Sequence, residues 1–181
     1  GARWRIVEMR PSNQPFLHLA QAIQSSFQYD TPVGFLKAEL KRSPKGLTEI
    51  VKYADLRPNE NVLVLVDQFE ELFRFRQNNN IEEVTAFINL LIASVRNDDV
   101  PIHIVITMRS DYLGECSLFY ELPEMLNDNQ FLTPRLTREQ CSKAITGPAS
   151  VCGGLIEPQL VNTLLNDLGV DHDQLPLLQH A

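Results

Sequence analysis

The fold is decided by residues 61–67, which read Asn-Val-Leu-Val-Leu-Val-Asp. The residues from Val62 to Val66 are all aliphatic, with no polar alternation, and the run ends at Asp67. A continuous apolar run of this length is typical of a strand that is buried on both faces. We therefore predict an inner strand of a parallel sheet with helices covering both of its sides.

Strand and helix patterns alternate on either side of this run. A short polar–apolar alternation predicts a strand at residues 5–9, and a second buried run predicts another from Ile102 to Thr107. Apolar residues at helical spacing predict helices at about residues 15–28, 33–40, 44–54 and 81–96. A weaker strand is predicted near residues 130–132. This order indicates an α/β fold with a parallel sheet.

The last part of the sequence predicts helices alone. Thr137 and Gln140 resemble a capping box that opens a helix, which we expect to end at Gly147–Pro148. Another helix is predicted from Pro158 to about residue 168, and a last one from residue 175 onward. We therefore divide the chain into an α/β core at residues 1–136 and the start of a helical lobe at residues 137–181.

Composition excludes several classes of function. The 181 residues carry 16 Lys and Arg against 23 Asp and Glu, a formal charge of -7, which argues against a nucleic-acid-binding module. No apolar run approaches the roughly 18 residues that span a membrane. The three cysteines have no metal-like spacing and suit a reducing compartment, so we expect a cytoplasmic protein.

Polar side chains follow two of the predicted strands. Asp67, with Glu70 and Glu71 beyond it, follows one strand, and Arg109 follows another. Ligands of open α/β sheets bind at the carboxyl ends of the strands, where a carboxylate can hold a Mg²⁺-bound water and an Arg can contact phosphate. The alternatives are that Asp67 caps a helix starting at residue 68 and that Arg109 forms an ordinary salt bridge.

Residues 64–73, Val-Leu-Val-Asp-Gln-Phe-Glu-Glu-Leu-Phe, resemble the Walker B segment of STAND-class P-loop NTPases. The closest branch is the novel STAND NTPase family 1, which is often joined to WD repeats in bacteria. Further stretches resemble it in the same order: residues 4–20 its second strand and helix, 105–112 its sensor strand, 136–149 the start of its helical lobe, and 175–181 (Leu-Pro-Leu-Leu-Gln-His-Ala) its lid motif.

The resemblance implies an AAA+-related fold, ATP and Mg²⁺ as ligands, and a signalling switch in which nucleotide binding and slow hydrolysis control assembly. Asp67 would bind Mg²⁺ through water, and Arg109 would sense the γ-phosphate. Pro176 would face the adenine, and Glu70 or Glu71 would polarise the attacking water. Gln68 departs from related ATPases, many of which place a catalytic Glu directly after the Walker B Asp.

No Gly-x-x-x-x-Gly-Lys-Ser/Thr motif occurs in the 181 residues, although this loop supplies the phosphate cradle of the family. The sequence also begins without Met, and the resemblance begins where the family's P-loop helix would end. We therefore expect a fragment truncated before the P-loop strand, inactive by itself. A missing central strand would expose a sheet edge, so we also expect self-association.

Two rival functions remain open. The chain could be a nucleotide-independent scaffold or interaction module derived from a P-loop fold, with other domains of the parent protein as its partners. It could also be a different α/β enzyme such as a hydrolase, although no Gly-x-Ser-x-Gly elbow is present.

Overall fold

Three parallel strands form the sheet: β1 (Arg3–Met9), β2 (Glu60–Val66) and β3 (Ile102–Ile106), in the order β1-β2-β3. The structure is a computed structural model that describes residues 1–76 and 81–167. Contacts divide the chain into two compact units, Gly1–Gln130 and one that begins at Phe131. The parallel α/β class and the inner position of β2 are confirmed in the first unit.

The helices predicted at residues 15–28, 33–40, 44–54 and 81–96 are found close to those positions, and two short helices within residues 113–129 were not predicted. The amphipathic pattern after β1 forms a helix because proline at its first position fixes a helical φ and lacks an N–H that would need a partner. The helices are α1 (Pro15–Phe27), α2 (Val33–Arg42), α3 (Gly46–Lys52), α4 (Glu71–Arg76), α5 (Ile81–Val95), α6 (Leu113–Cys116) and α7 (Leu122–Asn129).

One face of the sheet carries the core. Alternate residues of the strands point into it, helices α1 and α5 pack against the strands, and α2 and α3 pack against these helices. Phe16 of α1 meets Phe87 of α5 edge to face, with ring centroids 5.4 Å apart, and both rings are fully buried. Aromatic rings bury large apolar areas, so this pair contributes strongly to the stability of the core. The strand residues on this face are Val7, Met9, Val62, Val64, Val66 and Ile102.

The other face of the sheet is not covered by the residues of the first unit. Ile6 of β1 is 54% exposed and Val105 of β3 is 47% exposed, while Leu63 and Leu65 of β2 are only half-buried. The prediction that β2 is buried on both faces is therefore wrong for the part of the chain that the structure describes. A continuous aliphatic run shows that both faces are apolar, but it does not show what covers each of them.

The second unit contains α8 (Arg138–Val151) and α9 (Pro158–Asp167), which pack through Ile145, Val161 and Leu165. The capping box is confirmed, because Thr137 accepts from the Gln140 N–H and the Gln140 side chain bonds back to the Thr137 N–H.

The predicted end of this helix at Gly147–Pro148 is wrong. Pro148 lies inside α8, where its missing N–H costs one hydrogen bond. The helix ends instead before Gly153, whose φ of 75° is left-handed, and the Gly154 N–H closes the turn on the Ala149 carbonyl. This is a glycine stop of the usual kind, located one and a half turns beyond the predicted one.

The prediction of a weak strand near residues 130–132 is also wrong, because this stretch has no strand pairing and Phe131 is 85% exposed. The last predicted helix and the lid motif with Pro176 lie outside the described residues. Within residues 1–76 and 81–167, no helix combines the length and apolar character needed to cross a membrane.

Candidate functional site at the carboxyl edge of the sheet

Three polar residues form a row where the strands end. Met9 pairs with Val66 and Val66 pairs with Ile106, so the next residue of each strand, Arg10, Asp67 and Thr107, comes to the same edge. Backbone hydrogen bonds extend the pairing past the strands, from the Asp67 N–H to the Met9 carbonyl and from the Thr107 N–H to the Val66 carbonyl. The row is therefore fixed by strand register.

Asp67 lies in the middle of the row and both of its carboxylate oxygens are bonded. The Thr107 hydroxyl donates to Oδ1 at 2.7 Å, and the Arg10 Nε donates to Oδ2 at 2.9 Å. The Thr107 hydrogen bond, followed by the bond and charge of Arg10, lowers the pKa of Asp67 below its ordinary value, although partial burial opposes the shift. Asp67 is thus held ionised at neutral pH.

The segment after Asp67 leaves the sheet in a turn. Gln68 has a left-handed φ of 57°, and its N–H donates to the Thr107 hydroxyl at 3.0 Å. The Phe69 N–H then donates to the Thr107 carbonyl, and helix α4 begins only at Glu71. The interpretation of Asp67 as the cap of a helix starting at Gln68 is therefore wrong, because a residue with positive φ cannot begin an α-helix.

The two glutamates that follow have different surroundings. Glu71 accepts a hydrogen bond at 2.9 Å from the backbone N–H of Ser12, in the loop after β1, where Ser12 itself has a φ of 46°. Glu70 has a buried Oε2 atom without a hydrogen-bond partner in the described structure. Glu71 therefore serves as a brace between loop and helix, while Glu70 keeps an unsatisfied acceptor.

Arg109 forms a two-pronged ion pair with Asp111. Its Nε and Nη2 atoms lie 3.1 and 3.0 Å from the two carboxylate oxygens, and both side chains are more than half exposed. This bond, with the charge of Arg109, lowers the pKa of Asp111. Arg109 lies two residues beyond Thr107, near the carboxyl edge of the sheet where it was predicted. Its guanidinium is already paired with the carboxylate of Asp111. Pro176, the last of the five predicted site residues, lies outside the described residues.

The donor set suits magnesium bound together with a phosphate ligand better than a metal held by protein alone. Among the described residues, no group of three or more His, Cys, Asp or Glu side chains could hold a metal ion. Mg²⁺ keeps several of its waters and typically uses one or two carboxylates plus substrate phosphates. A carboxylate accepts about four hydrogen bonds and Asp67 accepts one on each oxygen, so acceptor positions remain, although the charge of Arg10 beside Oδ2 opposes the approach of a cation.

Two members of the row, Arg10 and Thr107, were not among the sequence-predicted site residues. Each directly follows a strand, and in a parallel sheet all such positions meet at one edge. That rule, applied to all three strands, could have found both residues. The order of the strands could not be obtained in this way, and it is this order that makes Arg10 and Thr107 direct neighbours of Asp67.

The comparison with protein-family models gives one family for this chain. The whole chain, residues 1–181, matches the family model described as Novel STAND NTPase 1. No curated protein and no solved structure matches the chain.

Proposed function

The chain belongs to the novel STAND NTPase 1 family, and from this premise we propose that it carries the magnesium and γ-phosphate edge of an ATP-dependent signalling switch. Family membership supports a nucleotide-binding signalling role. The observation that carries the finer proposal is the row Arg10–Asp67–Thr107, which presents an ionised carboxylate at the edge where α/β folds bind ligands.

In this proposal Asp67 accepts hydrogen bonds from a water of the Mg²⁺–ATP complex, and Thr107 holds its carboxylate in position. When bound, Mg²⁺ would neutralise phosphate charge. Arg109 would exchange Asp111 for the γ-phosphate, since an exposed guanidinium can replace one pair of oxygens with another. Pro176 would face the adenine. The phosphate cradle would come from another segment, because the 181 residues contain no P-loop motif.

Of the two glutamates, we assign the polarisation of water to Glu70. The Glu71 carboxylate is already used by the Ser12 N–H, whereas a buried Glu70 oxygen lacks a partner. An unsatisfied buried acceptor is costly unless a ligand or water completes it. Glu70→Gln should therefore reduce ATP turnover and leave Mg²⁺–ATP binding intact. Glu71→Ala, which removes the acceptor of the Ser12 N–H, should instead lower the stability of the loop after β1.

The test is a calorimetric titration of Mg²⁺–ATP into the intact protein that contains this chain. Asp67→Asn should weaken binding by about 10- to 100-fold in the presence of Mg²⁺, the range typical of residues that hold a metal's ligands. Asp99→Asn is the matched control, because Asp99 also lies in an ion pair, with Lys52, away from this edge. Equal affinities in wild type and Asp67→Asn would contradict the proposal.

The uncovered sheet face favours a second candidate, a nucleotide-independent interaction module. Trp4 and Ile6 of β1 and Val105 of β3 expose apolar surface on this face, which another domain or another copy could cover. The same titration separates the two functions, because a scaffold would bind no nucleotide in any variant. Sedimentation of Ile6→Lys would then show whether self-association depends on the face.

A further inference from the structure

The loop after β1 is joined to the segment after β2 at two points. The Arg10 side chain bonds the Asp67 carboxylate, and two residues later the Ser12 N–H bonds the Glu71 carboxylate, both at 2.9 Å. The joined residues are 57 and 59 positions apart in sequence. The loop therefore has direct contact with the residue assigned to magnesium and with the helix that follows it.

His18 of α1 fixes the backbone of this loop. Its Nδ1 lies 3.1 Å from the Arg10 carbonyl oxygen and 3.0 Å from the Pro11 carbonyl oxygen, so Nδ1 carries the proton and donates to them. The backbone from which the Arg10 side chain reaches Asp67 is therefore held in place, while the side chain itself keeps its rotamer freedom.

The contact between Arg10 and Asp67 bears on what the carboxylate can bind. Arg10 uses Nε to occupy Oδ2, and its positive charge offsets the negative charge that would attract a cation. The Arg10 side chain is 61% exposed, compared with 28% for Asp67, so the guanidinium can swing into solvent while Asp67 stays in place. Thr107, on the other side, keeps its hydrogen bond without adding charge.

We propose that Arg10 is a positioning residue that acts as a latch on Asp67, occupying its carboxylate and competing with Mg²⁺ for it. The inference rests on the proposed function, because it assigns a regulator to the same site. Arg10 acts through Asp67 and contacts no nucleotide. A Mg²⁺-bound water that took the place of the guanidinium at Oδ2 would remove one of the two contacts that join the loop after β1 to the segment after β2.

Two other roles would give different results. If Arg10 contacted a phosphate directly, removing it would weaken nucleotide binding with and without Mg²⁺. If it formed only a structural ion pair, removing it would lower stability and leave the dependence on Mg²⁺ unchanged. Of the three roles, only the latch predicts that loss of Arg10 lowers the Mg²⁺ concentration needed for nucleotide binding. The direction of the change in this concentration therefore distinguishes the latch from the other two roles.

The experiment is an equilibrium titration of the intact protein with Mg²⁺ at a fixed concentration of a fluorescent ATP analogue. Arg10→Gln should lower the half-saturating Mg²⁺ concentration by about two- to fivefold, the effect expected from one partly exposed ion pair. Arg10→Lys should stay close to wild type, since the charge is kept. Arg5→Gln is the matched control, because Arg5 joins the same two strands through Glu60 at their other end and should not change the Mg²⁺ requirement.

Each result has one meaning. An unchanged or higher Mg²⁺ requirement in Arg10→Gln, with binding by wild type and loss in Asp67→Asn, would overturn the latch and leave the proposed function standing. Absence of Mg²⁺-dependent binding in wild type and all variants would overturn both. A thermal melt of each variant shows that the comparison is made between folded proteins.

Discussion

Replacing Thr107 with valine tests the row at the sheet edge most directly. Valine keeps the branched shape and removes the hydroxyl, which donates to the Asp67 Oδ1 at 2.7 Å and accepts from the Gln68 N–H at 3.0 Å. A hydrogen bond to a charged group contributes about 1.5–3 kcal/mol and a neutral one about 0.5–1.5 kcal/mol. Water can replace part of both at this exposed edge, so we expect Thr107→Val to lower the free energy of unfolding by about 1–2 kcal/mol.

Urea unfolding followed by tryptophan fluorescence measures this loss. Trp4 is the single tryptophan, lies in β1 and packs edge to face on His103, with ring centroids 5.1 Å apart, so it reports on the sheet. With a typical dependence on urea, the midpoint should fall by about 0.5–1 M. Thr107→Ser keeps the hydroxyl and should lose markedly less stability than Thr107→Val.

The loss should also depend on pH. Because the Thr107 hydrogen bond, followed by Arg10, lowers the pKa of Asp67, folding favours the ionised carboxylate. This stabilisation is complete above the unfolded-state pKa of about 3.9 and disappears as the pH falls through the lower folded-state value. The difference between wild type and Thr107→Val should therefore be larger at about pH 6 than at about pH 3. A valine variant as stable as wild type at the higher pH, or a serine variant as unstable as valine, would refute the reasoning.

Three further predictions concern the rest of the chain. Gly46→Ala should destabilise by about 1–3 kcal/mol in urea unfolding, because its Cβ would lie 2.4 Å from the Glu39 carbonyl oxygen, a backbone atom. Gly34→Ala, with nothing within 4 Å of its Cβ, should be neutral or stabilising, and equal effects at the two glycines would contradict the packing of α2 on α3. Phe87→Ala should cost about 3–5 kcal/mol in the same assay, and a loss below about 1 kcal/mol would mean that its ring is not in the core. In thiol alkylation at pH 8 monitored by mass spectrometry, the exposed Cys152 should react at least tenfold faster than the buried Cys116. Burial raises the pKa of Cys116 to about 11, so roughly one Cys116 thiol in a thousand is ionised at this pH. Comparable rates at the two cysteines would contradict the burial of Cys116.

Local patterns predicted most of the secondary structure correctly. The apolar run at residues 62–66 formed β2, the helical periodicity of residues 81–96 formed α5, and Thr137 with Gln140 formed a capping box. These succeed because the forces involved act between residues at most four positions apart, or on one face of one element. The family resemblance likewise rests on short motifs, and it is confirmed over the whole chain.

Some of the incorrect predictions came from local rules applied without knowledge of what each segment meets in the fold. Proline usually ends a helix, but α8 continues for three residues past Pro148 and stops before the left-handed Gly153. The short apolar segment near Phe131 has strand propensity, but without a neighbouring strand to pair with in the described structure it remains irregular. Strand propensity spans only about 1 kcal/mol and depends on the neighbours of a segment, so it does not form a strand by itself.

The sequence by itself determined that the chain has apolar parallel strands, amphipathic helices and a carboxylate at the end of one strand. The tertiary structure decided which residues surround that carboxylate. Arg10 and Thr107 are 57 and 40 positions from Asp67 and meet it only through the order β1-β2-β3 and its register. Such pairings depend on strand order and register, which are set by the packing of the whole sheet against its helices. The residue types at positions 10 and 107 do not by themselves indicate that these residues become neighbours of Asp67.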